Sequence, residues 1–215
     1  IPLVAGLLPI KDAIYADNES CGADCDNPSD GCTDLFAITN DGVILWSRDG
    51  GKTYTLGAQD WDATAGTNIG IGYLGNFVFT YTNDANLSVV FATKADALAD
   101  VAPTVVSNFL ANPNAYVYTD LGVGAGVAIV AGEDGFLALT DNPTTGFDEV
   151  YAGVYSTQNL RKVQFRPGSD TALIVGDAGA VVSFINGEFE GIITTGSAIA
   201  TLNLTAALPA SDKKF

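Results

Sequence analysis

Apolar residues in this chain come in short runs, and the runs come in pairs. Leu35-Phe36-Ala37-Ile38 is followed, after Asn40-Asp41-Gly42, by Val43-Ile44-Leu45-Trp46. Phe77-Val78-Phe79-Thr80-Tyr81 is followed, after Asn83-Asp84-Ala85, by Leu87-Ser88-Val89-Val90-Phe91. Val127-Ala128-Ile129-Val130 leads through Glu133-Asp134-Gly135 to Phe136-Leu137-Ala138-Leu139, and Ala172-Leu173-Ile174-Val175 through Asp177-Ala178-Gly179 to Val181-Val182-Ser183-Phe184. Runs this short, bounded by Gly, Asn and Asp, predict strands rather than pieces of helix, and each pair reads as a hairpin.

The hairpins recur. Asp41, Asp84 and Asp134, and then Gly179 after Gly135, follow one another at about forty to fifty residues, the length of one four-stranded propeller blade. The expected fold is therefore all-β, a β-propeller-like array of four-stranded blades with about four recognisable repeats. An irregular β-sandwich with Gly-rich turns is the rival, since short strands and turns suit both. The expected organisation is an N-terminal strand with a polar loop over residues 1–33, then propeller-like repeats over 34–215. Ile1 to Ile10 reads as an edge strand packed on the array. Ala198 to Leu208 reads as the opening strand of a further blade. With no Met and an Ile at position 1, the chain reads as a processed or partial one whose remaining blades lie elsewhere.

One octapeptide is more specific than the rest. Residues 47 to 54, Ser-Arg-Asp-Gly-Gly-Lys-Thr-Tyr, lie between two strand-like runs. Gly50 and Gly51 tolerate φ > 0, and Ser47, Asp49 and Thr53 supply short oxygens that can hold turn amides. Through Ser47, Asp49, Gly51, Thr53 and Tyr54 the segment resembles the Asp-box, the hairpin turn of many β-propellers. The corresponding places in later repeats, Ala92 to Asp96, Thr140 to Thr145 and Ile185 to Phe189, read as polar turns without the consensus.

Charge narrows the partners. The chain carries 25 acidic against 9 basic residues, a net charge of −16, and 20 of the acids are Asp, many at turns. Such a balance repels nucleic acid, and no basic patch interleaved with aromatics offsets it. No apolar run reaches the roughly 18 residues of a membrane span. Charged residues are only 16% of the chain, below the usual share of about 25%, which suits an extracellular or particle-surface protein.

The most unusual stretch is residues 17–34, which holds Cys21, Cys25 and Cys32 among Asp24, Asp26 and Asp30. One reading is a disulfide within the loop, with the third thiol left over or paired to another chain. Reduced, inert cysteines are a second. A zinc site would need Asp as its fourth ligand, because the chain has no His. An EF-hand starting at Asp26 fails at Pro28 and Ala37, leaving only a looser calcium site of Asp24, Asp26 and Asp30.

Candidate chemistry is sparse. Without His there is no Ser-His-Asp triad and no Cys-His pair. Gly122-Val123-Gly124-Ala125-Gly126 lacks the P-loop Lys and leads into a strand, so it reads as a turn where strands approach closely. The Asp-box resemblance brings in sialidases, which clamp a carboxylate with three arginines and use a Tyr-Glu nucleophile pair. Here the arginines are Arg48, Arg161 and Arg166. Arg48 falls inside the box, and Phe165-Arg166-Pro167-Gly168 departs from the sialidase Phe-Arg-Ile-Pro motif. Glu188 and Glu190 alternate on one strand face, as solvated hairpin rims do. A non-enzymatic module with no cofactor is the expectation.

The degenerate blades, acidic turns and Cys-rich loop resemble propeller segments of virion proteins, notably of tailed phages. That resemblance implies a structural protein of a virion or other extracellular assembly, with protein partners and multi-subunit association. The alternative is a secreted or periplasmic recognition propeller for a glycan or protein, with Trp46, Trp61, Tyr116 and Tyr118 as contacts. The Gly-rich blade style is also similar to the photosystem assembly propellers.

Overall fold

The computed structural model describes residues 9–16, 34–61, 67–83, 87–106, 117–166, 168–191 and 202–206. Strands dominate, and they form four antiparallel four-stranded sheets, each laid out in chain order. The first sheet comprises β1 (Ile10–Tyr15), β2 (Leu35–Thr39), β3 (Val43–Ser47) and β4 (Thr55–Asp60). The second comprises β5 (Thr67–Leu74), β6 (Phe77–Asn83), β7 (Ser88–Thr93) and β8 (Thr104–Val106). The third comprises β9 (Tyr118–Val123), β10 (Ala128–Gly132), β11 (Leu137–Thr140) and β12 (Glu149–Tyr151). The fourth comprises β13 (Leu160–Phe165), β14 (Ala172–Gly176), β15 (Val181–Ile185) and β16 (Glu188–Glu190). This is the all-β propeller architecture of four blades that the paired apolar runs predict.

The blades fall into two compact units, one holding the first and second blades and one holding the third and fourth. In the first unit, Phe36, Ile38, Ile44 and Trp46 of one sheet pack on Ile71, Val78, Val90 and Ala92 of the other. In the second, Val127, Ile129, Ala131 and Leu137 meet Val163, Phe165, Ile174, Val182 and Phe184. Each unit is thus a pair of sheets packed face to face, with alternate strand residues turned toward the partner sheet. The first strands of the paired sheets lie side by side, β1 against β5 and β9 against β13, and so form the inner edge of each unit. Gly122 permits that approach, since a Cβ there would stand 2.4 Å from Val163 Cγ1.

Every inner strand carries the same irregularity. Pairing with the second strand slips by one residue between Ile10 and Asp12, Asn68 and Gly70, Tyr118 and Asp120, and Leu160 and Lys162. A bulge at a fixed place in four sheets is a designed bend that re-aims the residue after it.

One expected turn is a helix. Lys94–Leu98 forms α1, where a polar turn was expected after the third strand of the second blade. Thr93 caps it: its Oγ accepts from Asp96 N at 3.2 Å and donates to Asp96 Oδ2 at 2.7 Å. Ala95, Ala97 and Leu98 are strong helix formers, and the cap satisfies an otherwise orphaned amide. The expected turn over Ile185 to Phe189 is a two-residue hairpin turn, with Asn186 and Gly187 at φ 54 and 86°.

Candidate interaction surface

The turn after β3 is held by its own side chains. Ser47 Oγ accepts from Gly51 N at 2.8 Å and donates to Asp49 Oδ1 at 2.8 Å. Asp49 Oδ1 also accepts from Lys52 N and Thr53 N, both at 2.9 Å, while Thr53 Oγ donates to Oδ2 at 2.7 Å. These donors, led by the Thr53 amide and hydroxyl, pull the Asp49 pKa down to about 2. Gly50 and Gly51 sit at φ 69 and 86°. Tyr54 stands beside the loop, its ring hydroxyl 2.9 Å from where a Cβ on Gly51 would lie. All five residues of the octapeptide pattern therefore serve the turn.

A fainter version of this turn recurs. Thr140, also at the end of a third strand, has an Oγ that accepts from Asn142 N at 3.0 Å. Asn142 Oδ1 accepts from Thr144 N at 3.0 Å and from Thr144 Oγ at 2.8 Å. Together with Thr93 and Asp96, a hydroxyl at the strand end followed by an Asx marks three blades. The sequence holds that signal, short of the full octapeptide pattern.

The residue after the inner-strand bulge links neighbouring blades within each unit. Asp12 Oδ2 accepts from Ile71 N at 3.1 Å. Asp120, at the same place in the third blade, accepts from Val163 N at 2.7 Å and from Lys162 Nζ at 3.0 Å. Each carboxylate caps a backbone amide of the next blade's inner strand. These clips were not apparent in the sequence, because the bulge sets which Asp reaches across. A second tie in the first unit is buried: Lys94 Nζ meets Asp34 Oδ2 at 2.9 Å and donates to Ala16 O at 2.8 Å.

The outer edge differs in character. Matching positions on β4, β8 and β12, paired with Leu45, Val90 and Ala138 respectively, carry Leu56, Val105 and Val150. They are exposed by 50%, 45% and 44%. Tyr54 and Val101 in the first unit and Val154 in the second are exposed as well. β8 and β12 are three residues long, which limits unguided strand addition at these edges.

Three of the four aromatic contacts named for a recognition module are interior. Trp46, Trp61 and Tyr118 are 7%, 1% and 2% exposed. Trp46 and Trp61 fill the core of the first unit, and Tyr118 stacks edge-on against Phe136 at 5.0 Å. Tyr116 lies outside the described residues, as do Cys21, Cys25, Cys32, Asp24, Asp26 and Asp30. Among the described residues no group of three or more His, Cys, Asp or Glu side chains could hold a metal ion. No helix among them is long and apolar enough to cross a membrane.

Of the arginines, Arg161 makes a two-pronged pair with Asp177, at 3.1 Å from Nε and 2.7 Å from a terminal nitrogen. That pair raises the arginine and lowers the aspartate. Arg166 and Ser169 close a turn through Ser169 N to Arg166 O at 3.2 Å. Glu188 and Glu190 are exposed on either side of buried Phe189. A Tyr-Glu couple does occur, with Tyr151 donating to Glu149 on β12. Glu149 pushes the phenol up to about 12.

No family model matches the chain, and no curated protein matches it. Solved structures do. The chain is similar to YCF48 from Cyanidioschyzon merolae (TM-score 0.54, 11% identity, 87% of this chain and 57% of that one). It is similar to a structure described as YCF48 bound to D1 peptide (TM-score 0.51, 13% identity, 75% and 50%). It is also similar to Raptor from Chaetomium thermophilum (TM-score 0.55, 10% identity, 79% and 15%). The chain spans about half the length of the YCF48 structures. At these identities the likeness is one of fold, and that fold is the β-propeller.

Proposed function

We propose that the chain is a non-enzymatic propeller module that binds protein partners through the outer edges of its blades. The observation that carries this is the matched placement of Leu56, Val105 and Val150. Scattered surface apolar residues are ordinary, but three at one register position on successive outer strands are a repeated feature. Association through such positions buries apolar side chains without opening the sheet ladder. The similar structure of YCF48 with a D1 peptide lends support by fold analogy alone.

The setting we propose is a multi-subunit virion or other extracellular assembly, which the low charged fraction and the Asp-held turns suit. Secreted or periplasmic recognition is the alternative, and a protein ligand fits it better than a glycan, because Trp46, Trp61 and Tyr118 are buried and unavailable for sugar stacking. Hydrogen exchange on the native assembly, against the dissociated chain, tests the reading. Protection gained over 54–58 and 104–106 supports it. Unchanged exchange there, with protection elsewhere, overturns it.

A further inference from the structure

In the second unit the chain returns after the fourth blade. Residues 202–206 lie across the tight turn Asp177–Gly179 between β14 and β15. Gly179 N donates to Leu202 O at 2.7 Å and Leu204 N to Gly176 O at 2.9 Å. Ala178 N donates to Asn203 Oδ1 at 3.3 Å. Ala178 has a positive φ of 51°, which leaves its amide turned away from the turn's own bonds.

The same device stands one blade earlier. The turn Glu133–Gly135 between β10 and β11 has Asp134 at φ 53°. Asp134 N donates to Asn159 Oδ1 at 3.1 Å. Asn159 immediately precedes Leu160, the first residue of the inner strand β13. Both contacts span 25 residues, so Asn203-Leu204 takes the place of Asn159-Leu160 one repeat on. The sequence continues the parallel: Pro167-Gly168-Ser169-Asp170 follows β13, and Pro209-Ala210-Ser211-Asp212 follows Leu204.

We propose that Leu202–Ala206 is the inner strand of a fifth blade, with its register set by Asn203. The segment is then a blade strand seated on the turn between β14 and β15. The asparagine is the reading device: in both turns its side-chain carbonyl caps the amide of the positive-φ residue, and so positions the segment that follows.

Hydrogen exchange of the 215-residue chain, with N203A and N159A variants, tests this. In the unmutated chain the Leu204 and Gly179 amides exchange at least about tenfold more slowly than in an unstructured peptide. N203A speeds the Ala178 amide about fivefold and leaves Asp134 unchanged, and N159A does the reverse. Leu204 exchanging at the peptide rate, or N203A moving neither amide, overturns the proposal. So does protection over 204–206 that appears only as concentration and native mass rise together, since a second copy would then hold the segment.

Discussion

Replacing Asp120 by Ala removes the inter-blade clip of the second unit and leaves the apolar packing in place. The residue is 9% exposed, and its two oxygens hold the Val163 amide and the Lys162 ammonium. A hydrogen bond to a charged group contributes about 1.5–3 kcal/mol, and its loss leaves the Val163 amide unsatisfied. The lysine is 39% exposed, so screening holds its share to about 0.5 kcal/mol. The expected loss is about 2–3 kcal/mol, nearly all of it from the backbone contact. K162A should then cost about 0.5 kcal/mol or less, and D120N, which keeps an acceptor oxygen, about 1 kcal/mol. Both tryptophans lie in the first unit, so fluorescence does not report this change. Amide exchange over 160–165 does, and D120A should speed it about 30- to 150-fold. Acceleration under about threefold would refute the assignment of the clip, as would a K162A effect equal to that of D120A.

Other consequences follow from the same contacts. K94M strands the buried Asp34 carboxylate and should destabilise the first unit by about 3–5 kcal/mol, read by tryptophan fluorescence in urea, with much of the loss recovered in K94M/D34L. Asp49 has its pKa lowered from 3.8 to about 2. Its stabilisation of the turn is therefore complete above the ordinary value and lost as pH falls through about 2. The Thr53 amide should stay protected at pH 4 and open on acidification below 3, with no such step in D49N. Tyr151 ionises near 12 rather than 10, so an ultraviolet titration should lose one late-ionising phenol in E149Q.

The middle strands of each blade were legible in the sequence because they are buried on both sides and read as continuous apolar runs. Ala128–Gly132 is buried at all five positions, and that run stands out against its polar neighbours. Inner strands were obscured by their bulge. Tyr118-Thr119-Asp120-Leu121-Gly122-Val123 breaks the alternation at Thr119, and its Asp120 is polar yet buried. Outer strands such as Glu149–Tyr151 are too short to carry a period. The helix at Lys94 is hard to see in the sequence because Thr and Asp are turn formers as well as caps, and only the spacing of Thr93 and Asp96 marks the cap. The outer-edge positions could not be read at all: Leu56 and Val105 become equivalent only once the register of each sheet is known.

The central claim is that the blades' outer edges hold this chain to protein partners. Light scattering on the protein as isolated from its source, with and without L56D and V105D, tests it most directly. The account predicts a native mass well above one chain that falls when either substitution is made. One chain's mass for the unmutated protein, or an assembly indifferent to both substitutions, would contradict it.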